Sequence, residues 1–211
     1  MSPRKVIIGQ PVNKPTPPQA GISFARFLTI STMNGLVCAC YQSATNPLGR
    51  ARNSIVQEAL KTDATHLCFV DSDMIIHPGA LTGLLNRNVD VVSALYFTRT
   101  PPHTPVVFHD GTKPHEPWIG YKPGLSKVWV IGMGFALVRL DVFRRMSQKY
   151  GDEKWFTFDN DEGEDVNFCR RCHEMAIPVF LDANVKCGHV AEVVIGEEHF
   201  RWHQQGQSFA I

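Results

Sequence analysis

Long apolar runs are missing from this chain. The longest, "VWVIGMGFALV" at 128–138, carries two glycines and stops well short of the roughly 20 residues a membrane-spanning helix needs, so no span is expected. An excess of one charge sign is missing too: 21 Lys and Arg stand against 20 Asp and Glu. That balance lacks the electrostatic footprint of an obligate nucleic-acid coat or a membrane-surface binder, and lends a nucleic-acid substrate no support. No secretory signal is read at the start, because "MSPRKVIIGQ" has only a short apolar run and fits a first strand better. The six cysteines lie in apolar or helical contexts rather than in a loop-rich small scaffold, so buried thiols in a reducing cytoplasm are expected in place of a disulfide framework. Internal repeats and low-complexity segments are absent.

What remains is 211 residues with 44% hydrophobic content, enough for one sizeable core and hence one domain. Strand-like runs at 5–9, 35–41, 65–71 and 89–97 alternate with helical patterns at 22–33, 48–62 and 77–87, and a proline-rich loop, "QPVNKPTPPQAG", follows the first strand. Such alternation implies crossover units and a mainly parallel sheet with helices on both faces, with ligands outside the carboxyl ends of the strands. Residues 98–124 read as a loop excursion with one or two short strands, and 127–151 as strand, glycine turn, strand and helix. A helix over 164–176 and two strands, "PVFLD" and "NVKCGHV", precede a polar tail.

One strand end stands out. In "THLCFVDSDMII", Asp71 and Asp73 flank Ser72 where a buried strand ends and the chain turns apolar again. A buried unpaired carboxylate is costly, and a hard divalent cation sharing its oxygens with a phosphate-bearing ligand would suit the position. An ordinary turn, with Asp and Ser bonding nearby backbone amides, is the alternative.

"THLCFVDSDMIIHPGALTGLL" resembles the DxD segment of GT-A-type glycosyltransferases, a hydrophobic strand that delivers aspartates to a metal-bound nucleotide-sugar diphosphate. "VIGMGFALVRLDVF" is similar to the glycine-bearing segment those enzymes place on the acceptor side, and "EGEDVNFCRRCHEMAIPVFLDANVKCGHV" to their acidic helix, two strands and histidine. The likeness runs from about Lys5 to Val190. It implies a GT-A-like (Rossmann-like) α/β domain: a nucleotide-sugar half over 1–100, an acceptor and catalytic half over 101–190, and a tail over 191–211.

The resemblance also implies roles. Asp73 would ligate Mn²⁺ or Mg²⁺, Asp71 would contact the ribose or reach the metal through water, and His189 would complete the metal shell. Ser72, Gln10, Pro11, Arg52, Gly134 and, beside them, Arg50 and Gly132 fall where the family holds its donor, a UDP-sugar above others. Asp165, in the first turn of its helix and on one face with Cys169, Cys172 and Ala176, is the candidate base of an inverting transfer, held ionised by the helix N-terminus. Glu164 is its reserve, and plain complementation of the helix dipole is the alternative for both. A plain turn would equally explain the glycines, and a solvated helix face the arginines.

The reading is thus a metal-dependent glycosyltransferase of the small bacterial or phage-encoded kind, at work in the cytoplasm of a bacterium or phage-infected host. Its acceptor would be a hydroxyl on a glycan, a protein or a modified DNA base. "TRTPPHTP" and the tail, with His103, His199, Trp202 and His203, are expected to shape the acceptor side and a closing flap.

Rival readings attach to other motifs. "CRRCH" matches the c-type haem pattern but lacks the oxidising context and accessible loop it needs. Cys169, Cys172, Cys187 and His189 have spacings a structural zinc could use, which would make the chain a non-catalytic nucleotide- or nucleic-acid-binding module. "DNDEGED" fails as a calcium loop, because its glycine falls at the fifth place and Arg170 at the twelfth, and reads instead as an acidic lid. A nucleotidyltransferase of similar topology would want a glycine-rich basic loop where "QPVNKPTPPQAG" stands.

Overall fold

The structure, a computed structural model, describes residues 4–109, 116–159, 162–192 and 197. Among them the chain runs β1 (Val6–Pro11), α1 (Pro18–Met33), β2 (Val37–Ser43), α2 (Leu48–Leu60), β3 (His66–Val70), β4 (Met74–Ile76), α3 (Ala80–Arg87) and β5 (Val91–Leu95). It continues with β6 (Val107–Phe108), β7 (Leu125–Val128), β8 (Val130–Ile131), β9 (Phe135–Arg139), α4 (Leu140–Tyr150), α5 (Glu164–Glu174) and β10 (Val179–His189).

The described strands form one sheet in the order β2-β1-β3-β9-β5-β10-β4, with β7 also against β10, and a separate β6-β8 pair. β2, β1, β3, β5 and β10 run one way, while β9 is inserted antiparallel between β3 and β5, and β4 and β7 oppose β10. Strict alternation of side chains splits the sheet's apolar residues between two layers. Ile7, Leu67, Phe69, Val91 and Val138 meet α2, α4 and α5 on one face; Ile8, Cys68, Val70, Val92 and Leu137 meet α1 and α3 on the other. This is the expected α/β class, a mostly parallel sheet flanked by helices.

Three local expectations are revised. Helix α1 begins at Pro18, inside the proline-rich stretch, because proline is suited to a first helical turn, where its missing N–H costs nothing. The two late strands are a single strand, β10, whose register against β5 shifts between Asp182 and Lys186. Before that shift β10 pairs with β7, and after it Cys187–His189 pairs with β4, a strand that three apolar residues after the aspartates make possible. Helix α5 ends at Glu174, leaving Ala176 outside it at a positive φ of 55°. The tail residues His199, Trp202 and His203 and part of the acidic stretch lie outside the described residues.

Candidate functional site

Strand β3 is buried throughout and ends at Val70, so Asp71 emerges at its carboxyl end. There it meets Arg52. Position 52 lies on the same stripe of α2 as Ile55, Val56 and Ala59, which directs its side chain into the molecule, where it is 1% exposed. Arg52 Nη2 donates to both Asp71 carboxylate oxygens, at 2.9 and 3.3 Å. Nη1 donates to Glu164 Oε1 and lies 3.3 Å from Asp165 Oδ1. One buried guanidinium therefore ties the end of β3 to the first turn of α5. Next to it on α2, Asn53 holds the chain ahead of α5 by donating to the Glu153 and Phe156 carbonyls at 2.7 and 2.9 Å.

Asp165 is fixed from a second side, accepting from the Met133 N–H at 3.0 Å through Oδ2. Its Oδ1 is buried and without a hydrogen-bond partner among the described residues. The expectation that the helix N-terminus holds this carboxylate ionised is corrected here. Burial pushes its pKa up from the ordinary 3.8 to about 7, and Glu164 and Asp71 push the same way, against Arg52 and the Met133 N–H.

The segment joining β8 to β9 binds this cluster together. The Gly134 carbonyl accepts from the Asp71 N–H at 2.9 Å, and the Gly134 N–H donates to the Tyr96 hydroxyl at 3.0 Å. Tyr96, at 5% exposure, is the functional neighbour that sequence reasoning missed. It accounts for both glycines: a Cβ on Gly132 would lie 1.9 Å from Tyr96 Oη, and one on Gly134 only 2.9 Å from its Cζ. Glycine here makes room for a tyrosine ring.

Asp73 faces a different setting. Antiparallel pairing sets His189 opposite Met74, next to Asp73, and the Val190 N–H donates to the Asp73 carbonyl at 2.9 Å. His189 Nδ1 is 2.8 Å from the Phe97 carbonyl, which can only accept, so the proton belongs on Nδ1. That turns Nε2 toward Asp73 Oδ1, 3.3 Å away. A lone pair and a carboxylate face each other there, an arrangement that a proton on Nε2 or a cation bound by both would relieve. Burial alone would lower the His189 pKa, but the bonds to Asp73 and Phe97 raise it; Asp73 is conversely lowered, its burial outweighed by His189 and Arg99. Arg99 Nη1 closes the set, 2.9 Å from Asp73 Oδ2.

A cavity of about 540 Å³ opens beside these groups, at the carboxyl ends of β1, β3 and β10. Pro11, Asp71, Ser72, Asp73 and His189 line it, and so do Lys14 and Arg99. Gln10, Arg52, Gly134, Glu164 and Asp165 are not on its wall; the last two join it only through Arg52 and Asp71, and Gln10 is buried against Gln42, which donates to it at 2.6 Å. Arg50 is exposed on α2. The imidazole and carboxylate oxygens at Asp73 and His189 suit Mn²⁺ or Mg²⁺ as a donor set, with Asp71 at the same rim. Among the described residues, no three His, Cys, Asp or Glu side chains converge as a ready metal cage.

The cysteines do not share a site. Cys169 and Cys172 are packed in the layer under α4 and α5, and Cys187 in the layer on the opposite face of the sheet. His103 is turned to its own loop, 3.1 Å from the Thr98 carbonyl. Among the described residues, no helix is long and apolar enough to cross a membrane.

No family model matches the chain, and no curated protein is similar to it in sequence. Among solved structures it is similar to A197 from STIV, with a TM-score of 0.60 and 18% identity over 90% of this chain and 86% of that one. A glycosyltransferase involved in the glycosylation of the major capsid of PBCV-1 is matched with a TM-score of 0.46 and 14% identity, over 90% of this chain and 96% of that one. What the likeness to A197 shows is the fold: an α/β chain with a central, mostly parallel sheet between helical layers.

Proposed function

We propose that this chain is a glycosyltransferase that moves a sugar from a nucleoside-diphosphate donor to a hydroxyl acceptor, with inversion. The observation that carries the reading is that Asp71, Asp73 and His189, from sequence-distant strand ends, meet on the wall of one cavity while Arg52 ties Asp71 to Asp165 and Glu164. The cavity's place, outside the carboxyl ends of the strands, is where sheets of this kind hold ligands.

In this reading Asp73 and His189 would hold Mn²⁺ or Mg²⁺, with Asp71 in support. The cation would neutralise charge that builds on the departing diphosphate. Pro11 and Ser72 form part of the donor's wall. Asp165, off the donor cavity's wall but with its side chain 26% exposed, takes the acceptor's proton as the acceptor oxygen bonds to the anomeric carbon and the bond from that carbon to the diphosphate breaks, its electron pair leaving with the diphosphate. Arg52 keeps the two carboxylates of α5 in place without drawing them into the cavity.

The test is thermal stability against a panel of nucleotide sugars with Mn²⁺. One donor should raise the melting temperature of the wild type and leave Asp73→Asn unmoved. An equal shift in both proteins would sink the proposal.

A further inference from the structure

The charge inventory of the cavity leaves a gap that Lys14 or Arg99 on its described wall can fill. A diphosphate needs cationic partners, yet Arg52 is buried at 1% exposure and has both terminal nitrogens engaged by Asp71, Glu164 and Asp165. Among the described residues on the cavity wall, the remaining lysine and arginine are Lys14 and Arg99. Arg99 is 46% exposed and paired with Asp73 Oδ2 at 2.9 Å, on the carboxylate proposed to take the metal. Its loop is tied to itself: the Thr98 N–H donates to the Thr104 carbonyl at 2.9 Å, the His103 N–H to the Thr100 carbonyl at 3.0 Å, and the Thr98 hydroxyl to the Thr100 carbonyl at 3.1 Å. The backbone at Arg99 is therefore held, and its long exposed side chain is what can swing.

Building on the reading of the cavity as a donor site, we infer that Arg99 is a diphosphate ligand kept in reserve on Asp73. Without ligands its guanidinium stands in for the cation. When a divalent ion takes Asp73, Arg99 is released to the cavity and turns its planar N–H fork onto the phosphates, for which it is well shaped. Metal and donor then bind cooperatively. The ion must displace Arg99, and the displaced Arg99 gains its partner only when the donor is present.

Calorimetric titration of the wild type and Arg99→Gln, an exposed position whose replacement leaves the core untouched, separates the steps. Mn²⁺ alone should bind Arg99→Gln more tightly, by roughly threefold to tenfold, because its competitor is gone. With Mn²⁺ saturating, the tightest binder among UDP, GDP, CDP and ADP should bind Arg99→Gln about tenfold more weakly than the wild type. Arg99→Lys, with the charge but without the fork, should fall between. Unchanged constants in Arg99→Gln beside normal wild-type binding, or Mn²⁺ affinity that falls, would overturn the role of Arg99 alone. A wild type that binds neither Mn²⁺ nor any of the diphosphates would overturn this role together with the donor-site reading.

Discussion

The two aspartates of "DSD" are one residue apart and each is held by an arginine, but the two pairs belong to different worlds. Arg52 holds Asp71 from inside the protein at 1% exposure, shares itself among three carboxylates and stands 6.0 Å from the Phe156 ring centroid. Arg99 holds Asp73 from the open side, at 46% exposure, over a single contact. A charge taken out of water depends on its partners, whereas one at a screened surface can exchange them at little cost. The inner pair therefore holds the strand end and helix together, and the outer pair is free to exchange partners.

The contrast breaks most visibly at Arg52. Arg52→Met leaves three carboxylates around an uncharged side chain, and removing one partner of such a buried set costs about 3–5 kcal/mol. Thermal unfolding should show this as a fall of roughly 10 °C. Gly132→Ala should follow, because its Cβ would lie 1.9 Å from Tyr96 Oη and 2.6 Å from Val106. A loss of about 1–3 kcal/mol in denaturant unfolding is expected.

Asp165 gives an effect with a defined sign. Its pKa is raised from 3.8 to about 7 in the folded chain, so the folded state binds the extra proton. The stability this contributes is complete below pH 3.8 and is lost as pH rises to about 7. Melting temperatures of wild type and Asp165→Asn across that window should differ by this slope, which the variant lacks. If Asp165 is the base, wild-type kcat/KM should rise through the same region and plateau above it. At the small end, Arg99→Gln should change folding stability by less than about 0.5 kcal/mol, since exposed pairs contribute little.

Much of the fold was legible because it is written locally. β3 and β5 are short apolar runs, and the stripes of α2 and α5 carry helical spacing. Antiparallel insertion of β9 and the handover of β10 from β7 to β4 have no local signal, since pairing partners are set by packing between distant segments. At the candidate site, the aspartates, Asp165 and His189 were readable as residue types at strand ends and in a first helical turn. Arg52 was readable as well: its spacing of three, four and seven from Ile55, Val56 and Ala59 points it inward, although the expectation set it against phosphate or solvent. Tyr96 was not, because the spacing between two glycines says nothing about which ring will fill it.

What leaves the cavity can be read directly. Incubate the protein and Asp73→Asn with a panel of nucleotide sugars and Mn²⁺, and identify the products of slow donor breakdown by mass spectrometry. The account predicts free nucleoside diphosphate from one donor, released by the wild type and not by Asp73→Asn. Release of sugar phosphate, or equal release of nucleoside diphosphate by both proteins, would contradict it.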